Sequence, residues 1–317
     1  MTPDAMHEQQ PHGPHARGRA FDPERLLRRA FPATEQTYDA SRSILYALAV
    51  GYGHDPLDAR ELPFVYQQAQ RAAPTLALVV GYPGFWMMAP DTGIEWQSVL
   101  HAGQTLELHA EMPAAATVVG HLKVTQVIDK GPSVGALITS ERTLVEKGTG
   151  RRLATATQVY LARGNGGFSS KYGGTYGDTC GDTAPAGTRP QGPPQGPPAI
   201  VDAYRTAANA ALWYRLCGDM NPLHADPAVA RSAGFARPLL HGLCTYGIAA
   251  RAVVKAICGY EPRRLLRIDA RFTAPAYPGE TIRTELWPHG RQTRFRVIAA
   301  ERGAVVIDNG IAETAQP

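Results

Sequence analysis

The sequence contains two halves that resemble each other, separated by a segment rich in glycine and proline. An apolar helical stretch, a glycine and a Pro-Leu turn occur in front as ILYALAVGYGHDPLDA from Ile44 and behind as LWYRLCGDMNPLHADP from Leu212. Further along, Gly103-Gln104-Thr105 matches Gly279-Glu280-Thr281. Internal similarity of this kind is the sequence signature of a repeated structural unit. We therefore expect two diverged copies of one fold.

Composition places the boundaries of the two copies. Residues 1–20 contain no Ile, Leu, Val, Phe, Tyr or Trp, which predicts a disordered leader. Residues 164–199 are the expected linker, because 16 of these 36 residues are Gly or Pro. The front copy then covers residues 21–163 and the back copy residues 200–317. Each copy is long enough to fold alone or against the other.

The hydrophobic pattern predicts an α+β fold for each copy. Stretches such as VVGHLKVTQVIDKG and TRFRVIAAERGAVVIDNGIAE alternate with a period of two, which is typical of half-buried antiparallel strands. In the back copy, His241-Gly242 leads into LCTYGIAARAVVKAICG, which has helical spacing and an expected end at Gly259. We expect one central helix wrapped by a curved antiparallel sheet, twice over. The two sheets could join edge to edge and so cover exposed edge strands.

Charge, cysteine spacing and hydropathy exclude several classes of protein. The net charge of +4, from 32 basic and 28 acidic residues, is too small to require a nucleic-acid partner. Cys180, Cys217, Cys244 and Cys258 lack the spacing of zinc or redox motifs, so we expect reduced thiols, no metal site and no cofactor. The longest apolar run, residues 75–81, has only the length of a strand, and no signal sequence is evident. We expect a cytoplasmic protein without a membrane partner.

The segment from Tyr214 to Pro227 carries the densest group of ionisable and turn residues. It places Asp219, Asn221 and His224 within six residues, and Pro222 disfavours a helix through them. A bent loop could bring the carboxylate and the imidazole onto one small molecule, where they could transfer protons. The same residues would also suit a helix N-cap, a turn and a solvated histidine. The spacing alone leaves both interpretations open.

A longer motif favours the catalytic interpretation. YRLCGDMNPLH, residues 214–224, followed by AGF at 233–235 and PLLHGLCT at 238–245, resembles the signature of the MaoC-like, hydratase 2 family of (R)-specific 2-enoyl-CoA hydratases. The similarity extends to TYDASRSILYALAVG, VLHAGQTLEL, VIDKG, GNGGF and ARFTAPAYPGET, and covers most of residues 35–317. The resemblance implies a double hot-dog fold whose front repeat has lost the catalytic pair. The sequence agrees, because YGHDPLDA has no histidine after Pro-Leu.

The resemblance also implies roles for individual residues. Asp219 and His224 would share one water molecule that supplies both the hydroxyl group and the proton of an (R)-3-hydroxyacyl-CoA, and Asn221 would orient it. The backbone N–H of Gly242, at the start of the central helix, would stabilise the thioester oxyanion. The expected substrate and CoA contacts are His101, Ala102, Lys130, Met220, Pro222, Leu223 and Phe272. For His101, Lys130 and Phe272, ordinary roles at a strand end, in a turn and in the core are the alternatives.

Two departures from the family pattern lie in the front copy. Gln67 stands where the family has a glutamate after tyrosine, and Ala102 stands where it has a glycine after histidine. Neither departure changes Asp219 or His224. We therefore predict an (R)-specific 2-enoyl-CoA hydratase, reversible as a (3R)-3-hydroxyacyl-CoA dehydratase, that takes acyl-CoA substrates and forms a homodimer. The alternatives are a MaoC-like dehydratase for a branched, aromatic or steroid acyl-CoA, and a hot-dog acyl-CoA thioesterase.

Overall fold

The fold is built on one ten-stranded antiparallel sheet. The computed structural model describes residues 20–169 and 196–316. The strands are β1 (Thr34–Tyr38), β2 (Val99–Leu108), β3 (Ala116–Asp129), β4 (Ala136–Glu146), β5 (Arg152–Ala162), β6 (Ile200–Arg205), β7 (Leu265–Phe272), β8 (Thr281–His289), β9 (Gln292–Ala299) and β10 (Ala304–Thr314). The α-helices are α1 (Pro23–Leu27), α2 (Ala40–Ala49), α3 (Leu62–Val65), α4 (Ala210–Arg215), α5 (Pro227–Ser232) and α6 (Gly242–Ala256). Short 3₁₀ helices include Pro74–Leu78 and Pro222–His224.

The order of the strands repeats on the two sides of the sheet. It runs β1-β3-β4-β5-β2 and then β7-β10-β9-β8-β6. If the five strands of each half are numbered along the chain, both halves have the same order from the outer edge inward: first, third, fourth, fifth, second. The second strand of each half, β2 or β7, therefore lies at the centre of the sheet. This confirms the duplication and the double hot-dog architecture that the sequence predicts.

The two halves join through their central strands, which we call the seam. β2 pairs antiparallel with β7, with Gly103 opposite Arg271 and Glu107 opposite Arg267. In the middle of the seam, the Thr105 hydroxyl donates a hydrogen bond of 2.5 Å to Oδ1 of Asp269. The expected edge-to-edge joining is therefore confirmed, and β1 and β6 are the outer edges of the described sheet.

One of the two internal matches in the sequence is wrong. Gly103-Gln104-Thr105 lies in β2, whereas Gly279-Glu280-Thr281 leads into β8. In the repeated strand order, the counterpart of β2 is β7, and the counterpart of β8 is β3. A match of three residues was too short to identify equivalent strands. The match between the helical stretches is correct, because α2 and α4 each follow the outer-edge strand of their half.

The central helix is present in the back copy only. The 15-residue helix α6 begins at Gly242 as predicted, and Gly259 after its end has a left-handed φ of +62°. In the front copy, the corresponding place is taken by the 3₁₀ helix Pro74–Leu78, so the expected second central helix is wrong. The guanidinium of Arg142 accounts for the early end of this helix. It donates to the carbonyl groups of Ala77, Leu78 and Val80, which are then not available to a following helical turn.

Both halves contribute to one shared hydrophobic core. It includes fully buried side chains from the front copy, such as Tyr46 and Leu76, and from the back copy, such as Tyr214, Tyr246 and Ile268. Helix α6 is buried along most of its length and lies against the front 3₁₀ helix as well as against β7 and β8. A single core of this kind fixes the position of one half against the other.

Parts of the predicted organisation lie outside the described residues. They are residues 1–19 of the predicted leader, residues 170–195 of the predicted linker, and Cys180. Cys217, Cys244 and Cys258 are buried and free, as expected. In the two described ranges, every helix is too short or too polar to cross a lipid bilayer.

Candidate active site

The loop after α4 is held in a bent form by its own side chains. The backbone N–H of Asn221 donates to Oδ1 of Asp219 at 3.1 Å, and the backbone N–H of Leu223 donates to Oδ1 of Asn221 at 3.0 Å. Gly218, with φ of +136°, allows the turn into this loop, and a Cβ there would lie 3.0 Å from the carbonyl oxygen of Val79. The bend predicted from Asn-Pro is therefore present. Oδ1 of Asn221 accepts from the loop, and the side-chain NH2 group is a donor that could act on a substrate or water.

The imidazole of His224 is held so that one nitrogen is free to accept a proton. Its Nδ1 lies 3.0 Å from the carbonyl oxygen of Leu239. A carbonyl only accepts, so Nδ1 carries the proton and Nε2 presents a lone pair. Burial lowers the pKa of His224 below its ordinary value, although the negative charge of Asp219 opposes this change. At neutral pH the ring is therefore uncharged.

A second histidine, His241, lies directly against this pair. Its ring stacks on that of His224 with 3.7 Å between centroids and 25° between planes. Its Nε2 lies 3.2 Å from the backbone carbonyl oxygen of Asp219. His241 was not among the residues predicted from the sequence, although it precedes Gly242 within the family motif. That adjacency was the one signal that could have identified it.

Asp219, His224 and His241 offer metal-ligand atoms that lie within 4.8 Å of one another. Cysteine spacing alone could not reveal this group. The stacking of the two rings disfavours a shared ion, because an ion in the plane of one ring at the ~2.1 Å that zinc requires would lie well out of the plane of the other ring. The arrangement suits proton transfer better than coordination.

The N-terminus of α6 faces the same place. The first amides of a helix have no partner within the helix and carry the positive end of its dipole, so the N–H of Gly242 is placed to donate to an anionic oxygen. A Cβ at this position would come within 3.3 Å of Cε1 of Phe272. Glycine therefore keeps the approach to this amide open.

The seam supplies the opposite wall of the site. The ring of His101 lies 4.8 Å from that of Phe272 and 5.0 Å from that of Tyr160. In the pairing of β2 with β5, His101 lies opposite Tyr160 and Gly103 opposite Val159, so Ala102 is the extra residue of a β-bulge that redirects the strand. Burial lowers the pKa of His101 to about 4. The structure thus places Phe272 next to Gly242 and His101 next to Phe272.

Two tyrosines of the front copy lie near Asp219. The hydroxyl groups of Tyr82 and Tyr160 are hydrogen-bonded to each other. Burial, and secondarily the charge of Asp219, raises the pKa of Tyr82 to about 12. The guanidinium of Arg142 lies 5.9 Å from the Tyr82 ring. No sequence motif pointed to these tyrosines, because they reach Asp219 only through the pairing of the two halves.

The remaining predicted contacts lie nearer the surface. Met220 and Pro222 are exposed on the loop after α4, and Leu223 is half-buried there. Lys130 is exposed in the turn between β3 and β4, where its backbone amide donates to Gly135. Gln67 is exposed after α3, so the first departure from the family pattern lies at the surface.

Comparison with known proteins identifies the family. A MaoC-like domain matches residues 189–310, and the N-terminal domain of MFE-2 hydratase 2 matches residues 36–164. The chain is 34% identical over 294 residues to Enoyl-CoA hydratase 2, peroxisomal, of Arabidopsis thaliana, covering 90% of this chain and 94% of that protein. The chain belongs to the MaoC-like hydratase 2 family.

Other members of the MaoC-like hydratase 2 family agree in length and fold. 3-Hydroxyacyl-thioester dehydratase Y of Mycobacterium tuberculosis is 36% identical over 281 residues, covering 86% of this chain and 91% of that protein. The crystal structure of a MaoC-like dehydratase from Phytophthora capsici superposes with a TM-score of 0.77 at 30% identity, covering 93% of this chain and 99% of that one. The two-copy organisation is therefore common to these proteins.

Proposed function

We propose that the protein is an (R)-specific 2-enoyl-CoA hydratase, reversible as a (3R)-3-hydroxyacyl-CoA dehydratase, and thus a hydro-lyase. The observation that carries the proposal is the placing of the Asp219 carboxylate and the free Nε2 of His224 beside the first amides of α6. These are the groups that addition of water to an enoyl thioester needs: a proton acceptor, a proton donor and an oxyanion donor.

The reaction follows from these positions. The thioester oxygen accepts a hydrogen bond from Gly242 N–H, which stabilises the enolate charge that develops as C3 is attacked. A water molecule between Asp219 and Nε2 of His224 forms the new C3–O bond while its proton passes to this pair. The pair then delivers that proton to C2, so that one molecule of water is added in all. The reverse sequence eliminates water, and no step needs a cofactor.

We propose one active site per chain, formed by the back copy (residues 200–317) with the front copy (residues 21–163) as its wall. The position that matches His224 after Pro-Leu is Asp58 in the front copy. Asp58 accepts from the Tyr260 hydroxyl at 2.7 Å and forms an ion pair with Arg60 at 2.8 Å. An aspartate engaged in this way cannot replace the imidazole.

The proposed partner is an acyl-CoA. In this proposal His101, Ala102 and Phe272 contact the acyl thioester at the seam, while the exposed Lys130 reaches the CoA. Met220, Pro222 and Leu223 are the residues of the loop from Asp219 to His224 that contact the substrate in this proposal. The Arabidopsis relative is named as peroxisomal, so the cytoplasmic location of this protein stays a prediction. The homodimer also stays a prediction.

The test is hydration of crotonyl-, decenoyl- and branched enoyl-CoA, followed by the loss of enoyl absorbance. Asp219→Asn and His224→Gln should each lower kcat at least ~100-fold. Asp226→Asn is a matched control, since Asp226 caps α5 by accepting from the Ala228 amide at 2.7 Å and an asparagine can do the same. His289→Gln is the exposed histidine control. Near wild-type hydration by the Asp219 or His224 variant would contradict the mechanism.

Two further readouts separate the alternatives. A coupled dehydrogenase specific for (S)-3-hydroxyacyl-CoA should give no signal, and a strong signal would refute the (R) assignment. Release of free CoA without hydration would favour a thioesterase. Hydration of branched, aromatic or steroid enoyl-CoA in strong preference to straight chains would identify a specialised dehydratase with the same residues.

A further inference from the structure

We propose that His241 is a positioning residue that holds Asp219 and His224 in their reactive arrangement as a neutral imidazole protonated on Nε2. The inference deepens the proposed function and rests on it. His241 is not placed to touch the reacting atoms through Nε2, because that nitrogen is engaged with the backbone of Asp219. Its effect on the reaction would pass through the two residues that it holds.

The tautomer follows from the hydrogen bond. Nε2 of His241 lies 3.2 Å from the carbonyl oxygen of Asp219. A carbonyl oxygen has no proton to give, so the imidazole must donate and Nε2 carries the hydrogen. Nδ1 is then the unprotonated nitrogen, and it is buried without a hydrogen-bond partner in the described structure. The bond ties the loop that carries Asp219 to the residue that precedes α6.

The neutral state follows from the surroundings. His241 is only 1% exposed, and burial lowers its pKa well below the ordinary value. The groups that face it are the stacked ring of His224, the ring of Tyr214 at 4.8 Å, the backbone carbonyl and the carboxylate of Asp219, and the positive charge of Arg215. The carboxylate, which has an oxygen within 4.8 Å, favours the charged ring, but burial outweighs it and keeps the pKa low. Two charged imidazoles stacked at 3.7 Å would repel each other, so a proton taken up by His224 disfavours a second one on His241.

The same residue therefore serves both members of the pair. Its N–H fixes the backbone of Asp219, and its face limits the rotation of the His224 ring, whose other restraint is the bond to Leu239. A shift of ~1 Å in a reacting group can cost ~100-fold in rate. His241 is the only residue of the described structure for which both contacts, a hydrogen bond to Asp219 and a ring stacked on His224, are recorded.

Two substitutions separate the hydrogen bond from the stacking. His241→Gln keeps a side-chain N–H at about the reach of Nε2 but removes the ring, and His241→Phe keeps a flat ring but removes the donor. We expect His241→Phe to lower kcat ~10- to 100-fold with little change in KM, and His241→Gln to recover most of that loss. Because His241 is neutral, the midpoints of the pH profile should stay unchanged. His289→Phe, at an exposed site, is the control.

Nitrogen NMR of ¹⁵N-histidine-labelled wild-type protein tests the proposal without an assay of activity. The signals of His241, assigned by their loss in His241→Phe, should show a protonated Nε2 and an unprotonated Nδ1 down to about pH 5.5, one unit below the ordinary histidine pKa of ~6.5. A charged ring or the Nδ1–H tautomer would overturn the proposal. So would a folded His241→Phe with wild-type kcat, or one that loses a limb of the pH profile. Absence of hydration by the wild-type protein would instead refute the proposed function and leave the NMR result standing.

Discussion

Removal of the Arg251 side chain should strongly destabilise the contact between the two halves. Arg251 lies on α6 in the back copy and is 3% exposed, and its NH1 lies 3.1 Å from Oε1 of the 2%-exposed Glu61 in the front copy. Its NH2 lies 2.7 Å from Oδ2 of Asp202. In Arg251→Met, the Asp202 carboxylate keeps its ion pair with Lys255 at 3.3 Å. Among the described residues, the one side-chain hydrogen bond that remains recorded for Glu61 is from the backbone N–H of Gly53. A buried carboxylate would then lack its counter-ion.

The magnitude follows from that loss. Breaking a buried ion pair by removing one partner costs about 3 to 5 kcal/mol, because the other charge stays desolvated. At about 2 to 4 °C per kcal/mol for a chain of this size, the melting temperature should fall by about 6 to 20 °C. Arg251→Met/Glu61→Gln should recover much of the difference, since no unpaired buried charge is left and the amide oxygen can still accept from Gly53.

Urea unfolding, followed by circular dichroism and tryptophan fluorescence, measures the free energy of unfolding. Arg60→Met is the matched control, because Arg60 pairs with Asp58 at the surface with its side chain 70% exposed. The control should leave the free energy of unfolding nearly unchanged, because solvent screens an exposed ion pair. A value for Arg251→Met within ~1 kcal/mol of the wild type, or a double variant less stable than the single one, would show that this ion pair does not hold the halves together.

Three further results are expected from the site. The kcat/KM of hydration should be level near neutral pH and fall only below pH ~6.5, because His224 must be neutral to accept a proton and its pKa is lowered. A fall that begins above pH 7 would contradict this expectation. Gly242→Ala should lower kcat ~10-fold or more with the fold intact, because the new Cβ would lie 3.3 Å from Phe272 at the thioester position; an unchanged kcat would remove Gly242 from the mechanism. The pKa of His101 is about 4 when folded and ~6.5 when unfolded, so stability should fall by up to ~3 kcal/mol as pH drops from 6.5 to 4, and His101→Phe should reduce that slope in acid unfolding.

Local sequence patterns predicted the elements that depend on nearby residues. Alternation located β3, β9 and β10, and helical spacing located α6 with its start at Gly242. The Asn-Pro step predicted the bent loop, since it restricts the backbone within a few residues. These features have short-range causes, which a pattern in one segment records.

Features that depend on distant residues were missed or wrong. Tyr82 and Tyr160 approach Asp219 because β2 pairs with both β5 and β7, and nothing near either tyrosine in the sequence indicates that pairing. A second central helix was expected in the front copy, but that place holds the buried 3₁₀ helix Pro74–Leu78, whose carbonyl groups accept from Arg142, far along the chain. The role proposed for His241 depends on its stacking with the ring of His224, which lies 17 positions earlier in the chain.

The far end of the seam explains how the fold could keep its symmetry while one site was lost. The repeated strand order makes the end near Leu108 and Leu265 equivalent to the end near His101 and Phe272. A cavity of about 220 Å³ lies there, lined by Pro74, Leu108 and Leu265 among others. The element that replaces α6 begins at Pro74, and proline has no N–H to offer an oxyanion.

In the front copy, Pro74 stands where the back copy has the start of α6, and Asp58, which is engaged by Arg60 and Tyr260, stands at the position that matches His224. The repeated strand order does not depend on these positions, because the strands pack against a core that spans both halves. The front copy also places His101, Tyr82 and Tyr160 around the proposed site of the back copy, so the proposed reaction needs the fold of the front copy although Asp58 cannot replace the imidazole.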